Sequence, residues 1–228
     1  MENIQNLGEI SLAHSGVLFL DELPEFNRNA LEVLRGPLED GSITIGRTMQ
    51  VLTFPCKFML VASMNPCPCG FYGTEKECKC SEIRIKKYLA KLSGPLLDRI
   101  DIQVEVNPVK YDDLVSINKN EESKAIKLRV NKARQIQYER YKDLNIFSNS
   151  ELTPNLIEEF CKIDLEQRKI LKASFSKFGM SARAYGRILK VARTIADLNE
   201  SSKIEVPHLL EAIQYRSLDK KISKMMGG

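Results

Sequence analysis

The stretch GVLFLDE, Gly16 to Glu22, is an apolar run that ends in two adjacent carboxylates. Four apolar residues without polar alternation predict a strand covered on both faces, as in a parallel sheet. Ligand sites of α/β proteins lie at the C-terminal edge of such a sheet, where Asp21 and Glu22 would sit. There Asp21 can hold Mg²⁺ through water, and Glu22 can orient or deprotonate an attacking water. A bare Asp-Glu pair more often only solvates a strand end. The apolar run before it and the residues described below favour the site.

Moving outward, NRNALEVLRGPLE predicts a helix capped by Asn27 or Asn29, with Leu31, Leu34 and Leu38 on one side and Gly36-Pro37 ending or kinking it. SITIG and QVLTF, around Gly46 to Met49, predict a hairpin. KFMLVASMN predicts a second buried strand ending at Asn65, SEIRIKKYLAKL a helix, and the alternating RIDIQVEV a further strand. Past Asn107-Pro108 the character changes. A basic helix spans Glu121 to Tyr141, and from about Thr153 the pattern is helical throughout, with Pro154 at a first helical position and Gly179 as a C-cap. The expected class is α/β: a parallel-sheet core over 1–107, a linker with a basic helix over 108–149, and an all-helical domain over 150–228.

Composition limits the partners. With 43% hydrophobic residues the chain can bury a sizeable core, and a net charge of +4 permits nucleic-acid contact without arguing for it. No apolar run reaches the roughly 18 residues of a membrane span, and MENIQNLGEI has no signal-peptide pattern. The expectation is a cytoplasmic protein with no membrane partner. Its cysteines would then stay reduced, so a tight cluster points to metal more than to disulfide.

Further residues carry candidate chemistry. Asn65 ends its strand with an amide that can orient a lytic water or touch a γ-phosphate; a turn residue before Pro66 is the plainer reading. Arg99, in SGPLLDRID, can reach a neighbouring subunit's phosphate, or it is a surface arginine paired with Asp98 or Asp101. Arg183 and Arg187 share a helix face and, with Arg193, form a basic set that meets phosphate or simply faces solvent. The basic helix over 121–141 can lean on nucleic acid, although a solvated face explains it more simply. Cys67, Cys69, Cys78 and Cys80 form two C-x-C arms eight residues apart. Four thiolates can close tetrahedrally on Zn²⁺, but C-x-C is tighter than the familiar C-x₂-C, and free thiols or a disulfide stay open. Cys56 and Cys161 look like core residues.

GSITIGRT, Gly41 to Thr48, formally imitates a phosphate loop with Arg47 in place of lysine. A real loop follows a strand and opens a helix. This one alternates like a strand and leads into another, so it is a hairpin with a basic tip. No other glycine spacing fits, and the 228 residues alone are expected to bind ATP poorly and not to turn it over. A sheet short of its phosphate-loop strand would also keep an exposed edge, an association hazard.

Taken together, GEISLAHSGVLFLDELPEF, FMLVASMNPCPCG, SGPLLDRIDIQVEV and SARAYGRILKVARTIADL resemble the magnesium-chelatase-like AAA+ proteins of the ComM/YifB type, over nearly the whole chain and corresponding to their second half. The resemblance implies a partial AAA+ core followed by a helical lid. It implies that Asp21 and Glu22 are the Walker B pair, Asn65 sensor 1, Arg99 the arginine finger and Arg183 the sensor 2 arginine. Residues 42–54 would be the hairpin inserted before sensor 1, with Arg47 a DNA contact. The cofactors implied are ATP and Mg²⁺, the assembly a hexameric ring, and the activity ATP-driven DNA branch migration during natural transformation. A non-enzymatic alternative is a zinc-stabilised interaction or nucleic-acid-binding module built from AAA+ parts.

Overall fold

A computed structural model describes residues 8–47, 50–109, 121–216 and 218; for Arg47 and Gln50 it describes the backbone alone. The chain divides into two compact units between Ile100 and Asp101.

In the first unit a short helix, α1 (Glu9–Leu12), precedes strand β1 (Val17–Leu20). Strand β1 pairs in parallel with β4 (Met59–Ala62), in register from Val17 opposite Met59 to Leu20 opposite Ala62. Side chains alternate across a strand. Leu18 and Leu20 therefore turn together onto a core of Leu23, Leu31, Leu34, Leu92, Leu96 and Leu97. Val17 and Phe19 lie on the other face beside Met59 and Val61, and Phe19 and Met59 are 60% and 63% exposed. Both strands are thus covered on one face, not on two as the apolar run suggests. The leucines that pack against these strands lie on the Leu18 side.

The helix expected after Asn27 is two helices, α2 (Arg28–Val33) and α3 (Arg35–Asp40). Asn27 caps the first by accepting from the Asn29 amide at 2.9 Å. The break falls before Pro37 because proline has no N–H for the Val33 carbonyl and its ring crowds that oxygen. Gly41, at φ 63°, takes the left-handed turn that ends α3. Strands β2 (Ser42–Arg47) and β3 (Gln50–Pro55) form the expected antiparallel hairpin, with Arg47 opposite Gln50. Its tip, Thr48 and Met49, lies outside the described residues. Helices α4 (Glu82–Leu89) and α5 (Gly94–Leu97) start at Ser81 and Ser93, whose hydroxyls accept from the Arg84 and Leu96 amides at 3.3 Å.

RIDIQVEV forms no strand: residues 102–109 are without regular structure. Alternation prepares a strand, but a ladder needs a partner. The Gln103 amide instead donates to the Tyr215 carbonyl, at 3.0 Å.

The second unit is helical: α6 (Ser123–Tyr141), α7 (Pro154–Phe160), α8 (Leu165–Phe178), α9 (Ala182–Leu198) and α10 (Val206–Gln214). Helix α9 is its axis. Ala184, Ile188, Leu189, Ala192, Ile195 and Ala196 are buried at helical spacing. A Cβ on Gly186 would stand 3.2 Å from Ile157 Cδ1, so this glycine permits the close approach of α7. Thr153 precedes Pro154 but makes no side-chain cap bond. Gly179 ends α8 in the left-handed region, as expected. Helix α6 is fastened to α9 by a bidentate pair between Arg140 and the fully buried Asp197.

Two stability predictions arise here. Asp164 accepts from the Gln167 amide while the Gln167 side chain accepts from the Asp164 amide, both at 2.8 Å. Asp164→Ala should cost about 1 kcal/mol, read as a lower urea midpoint with unchanged slope. Burial raises the Cys161 thiol from 9.0 to about 11. Unfolding frees that thiol to ionise at lower pH, so its contribution is full below pH 9 and fades as pH rises towards 11. Over that window Cys161→Ala should remove a loss of at most about 1.4 kcal/mol per pH unit, seen as a flatter stability–pH curve.

Candidate functional site

The C-terminal edge of the parallel pair gathers polar groups from two elements. β1 delivers Asp21 and Glu22; β4 delivers Ser63 and Asn65. The register sets Ser63 beside Asp21, and its hydroxyl donates a short hydrogen bond to Asp21 Oδ1. The Glu22 amide donates to the same oxygen at 3.1 Å and to Ser63 Oγ at 3.3 Å. Asp21 Oδ1 is thereby held, while Oδ2 and the Glu22 carboxylate receive no hydrogen bond from the described residues. Glu22 stands at φ 51°, a left-handed backbone that costs a non-glycine residue about 1 kcal/mol or more. The Leu23 amide clamps this turn by donating to the Ser63 carbonyl at 2.9 Å. The edge thus carries two adjacent exposed carboxylates, Asp21 held through Oδ1 and Glu22 on a strained turn.

Asn65 is exposed next to this edge. Its backbone hydrogen-bonds the hydroxyl of Tyr88 on α4, a buried group whose burial raises its pKa. Gly70, at φ 80°, folds back until a Cβ there would lie 3.9 Å from Asn65 Oδ1.

The loop after Asn65 brings Cys67, Cys69, Cys78 and Cys80 together, with all four sulfurs within 4.8 Å of one another. Sγ–Sγ separations are 3.4 Å for Cys67–Cys69, 3.7 Å for Cys67–Cys78 and 3.6 Å for Cys69–Cys78. Cys67 is fully buried against Ile85, Tyr88 and Leu89 of α4. A hydrogen bond from the Phe71 backbone is the main reason Cys69 falls to about 6. At Cys78 the Cys80 backbone pulls the other way, but desolvation and the neighbouring Cys69 and Cys67 push the thiol up to about 12. Desolvation also raises Cys80. The cluster could hold a metal ion. Cys56 and Cys161 are buried away from it, as core residues.

Arg99 is not a surface side chain. It is 8% exposed, forms an ion pair with Glu39 of α3, and donates to the Pro95 carbonyl at 2.7 Å. Arg183 is exposed on the first turn of α9. Arg187 pairs with Asp101, whereas Arg193 is buried against Asp197 and the Ser201 and Ser202 carbonyls. The three arginines therefore form no common basic face. On α6, Arg129 pairs with Glu121 and Lys132 with Glu200. The side chain of Arg47 lies outside the described residues.

With this geometry, two family models account for most of the chain. Magnesium chelatase, subunit ChlI, matches residues 2–114, and the ChlI C-terminal model matches residues 120–216. Competence protein ComM of Haemophilus influenzae is 46% identical over 220 residues, 96% of the chain and 42% of the relative. The uncharacterized protein YifB of Escherichia coli is 45% identical over 93% of the chain and 41% of its own length. An uncharacterized protein of Mycobacterium tuberculosis is 34% identical over 92% of the chain and 41% of its own length. The chain is a homologue of the ComM/YifB-type magnesium-chelatase-like AAA+ proteins. It spans about two fifths of the length of these relatives. Its small sheet core followed by helices matches a partial AAA+ core with a helical lid. No helix among the described residues is long and apolar enough to cross a membrane.

Two residues of this AAA+ edge escaped the sequence reading. Ser63 had a signal, since parallel pairing of two strands that end alike sets the residues just past them side by side. Glu39, the partner of Arg99, had none: the two are sixty positions apart.

Proposed function

We propose that this chain supplies the hydrolytic edge, arginine finger and lid of a hexameric AAA+ ATPase that uses ATP to move DNA strands by branch migration in the cytoplasm. The observation that carries the reading is the oriented Asp21–Glu22 pair bound to Ser63 at the end of a parallel strand pair. The Haemophilus relative's name, competence protein, supports a role in DNA uptake.

In this proposal Asp21, with its open Oδ2, holds Mg²⁺ through water. The ion would neutralise phosphate charge when bound. Glu22 takes the proton of the attacking water as its oxygen bonds to the γ-phosphorus and the bond to the bridging oxygen breaks. Asn65 orients that water or touches the γ-phosphate. Arg99 serves a neighbouring subunit's ATP once its pair with Glu39 opens, and Arg183 reaches nucleotide from the lid. Arg47, near the hairpin tip, meets DNA phosphate. The residues present fit the cation and the hydrolytic water; no glycine spacing in the sequence reads as a phosphate cradle. That part would come from sequence beyond these 228 residues.

The test is a fusion of the chain, at its N-terminus, to a phosphate-loop segment taken from an ATP-hydrolysing AAA+ protein. Mg²⁺-dependent ATP hydrolysis and strand movement on a branched DNA are expected, together with DNA binding that weakens steeply with salt. A folded fusion that binds ATP but neither hydrolyses it nor binds DNA at low salt contradicts the proposal. Arg47→Ala should weaken DNA binding uniformly across sequences and lower the magnitude of the salt slope by about one.

A further inference from the structure

We propose that Cys67, Cys69, Cys78 and Cys80 together hold one structural Zn²⁺, and that this ion fastens the loop following Asn65 onto α4. Tetrahedral Zn–S bonds of about 2.3 Å set ligand sulfurs about 3.8 Å apart. The separations of 3.4, 3.7 and 3.6 Å are close to that edge, with the fourth sulfur within 4.8 Å of the others. A multi-iron cluster would hold its ligand sulfurs much farther apart. A disulfide would bring one pair to about 2.0 Å and would leave the other two unassociated, yet all four converge on one point and are free thiols.

The loop is built to close. Gly70 and Gly73 take φ of 80° and 78°, which glycine alone adopts freely. The Gly70 amide bonds the Cys67 carbonyl at 2.9 Å, and the Thr74 amide bonds the Phe71 carbonyl at 3.1 Å. These turns bring the two C-x-C arms face to face. Residues 66–81 hold no helix or strand, and a stretch of that length inside a compact unit needs another source of order. Thiols are weak hydrogen-bond partners and supply little of it. A cation bridging four of them supplies much more.

The chemistry selects the ion. An all-sulfur tetrahedral set without oxygen or nitrogen suits zinc over the hard cations. Binding Zn²⁺ holds all four sulfurs as thiolates and releases the protons they still carry, leaving a centre of formal charge −2. Lys79, between two ligands, and Lys76, in the same loop, offset that charge. The site sits where a staple matters. Cys67 is buried on α4 two residues past Asn65, and Tyr88 of the same helix bonds the Asn65 backbone. β4 thus fixes Asn65 from one side and the metal loop from the other. The value of this for ATP hydrolysis rests on the proposed function; the metal site itself does not.

The experiment uses the 228-residue chain purified reduced and without chelator, with metal read by mass spectrometry and no nucleotide present. About one zinc per chain is expected, lost in Cys67→Ser and Cys78→Ser and kept in Cys161→Ala. These serine variants can misfold, so the parent chain is also stripped and reloaded with Co²⁺. Tetrahedral thiolate–cobalt bands should appear and then vanish on zinc addition. Stripping should accelerate amide exchange in residues 65–89 and leave α9 unchanged. A reduced, folded chain with no zinc and no cobalt bands overturns the site, as does iron in place of zinc. Zinc with unchanged exchange in residues 65–89 overturns the staple. Neither result depends on ATP turnover, so failure here is separate from failure of the ATPase reading.

Discussion

Replacing Asp197 by alanine should destabilise the helical unit by about 3–5 kcal/mol. Asp197 is fully buried on α9. Its Oδ2 accepts from Arg140 Nη1 at 3.0 Å and from Asn149 Nδ2 at 2.9 Å. Its Oδ1 accepts from Arg140 Nη2 and from Arg193 Nε, the latter at 3.1 Å. Asn149 in turn accepts from the Tyr141 hydroxyl at 2.6 Å. One carboxylate thus pairs with two guanidiniums, of which Arg193 is 3% exposed at its side chain. Truncation strands both charges and an amide in a low-dielectric interior, and this residual penalty exceeds the worth of any single bond. Urea unfolding followed by helical circular dichroism reads the loss. The penalty should persist at 1 M salt, because screening acts on exposed charges far more than on buried ones. A loss below about 1 kcal/mol, as for a surface pair, would mean that the network does not hold α6 to α9.

Glu22→Gln should lower ATP turnover by the phosphate-loop fusion by about 10²–10⁴-fold while leaving ATP bound. Glutamine keeps the size of glutamate and its place on the turn but cannot accept the water's proton. Its effect therefore falls on kcat and not on affinity. Ser63→Ala should act differently. It removes the hydroxyl that fixes Asp21 Oδ1, so the requirement for Mg²⁺ should rise before kcat falls. A titration of Mg²⁺ at saturating ATP separates the two variants. If both lower kcat alone, the edge is not divided between a cation-binding and a proton-accepting carboxylate.

The strands, the hairpin and most helix starts were legible because their signals are local. Asn27 and Ser81 cap by reaching two or three residues ahead, and the left-handed Gly179 lies at the end of its own helix. What failed needed a partner far along the chain. The apolar run from Val17 to Leu20 states what those side chains require, not whether both faces are covered, and Val17 and Phe19 remain open. RIDIQVEV alternates correctly but has no described strand beside it. By spacing, Arg193 belongs to a basic set that meets phosphate or faces solvent. The acid four residues on, Asp197, was the available signal that it turns inward to an ion pair. In the site, the carboxylates and the cysteine cluster were legible from spacing. The Ser63 contact depends on strand register, and the Glu39–Arg99 pair on tertiary packing.

If Asp21 and Glu22 form the hydrolytic edge of a Mg²⁺–ATP site, bound nucleotide is cleaved only when Glu22 is intact. Nucleotide trapping tests it most directly: the fusion and its Glu22→Gln variant are incubated with radiolabelled ATP and Mg²⁺, isolated rapidly, and the bound nucleotide is resolved. The account predicts ADP on the parent and intact ATP on the variant. ADP on both, formed at the same rate, would contradict it.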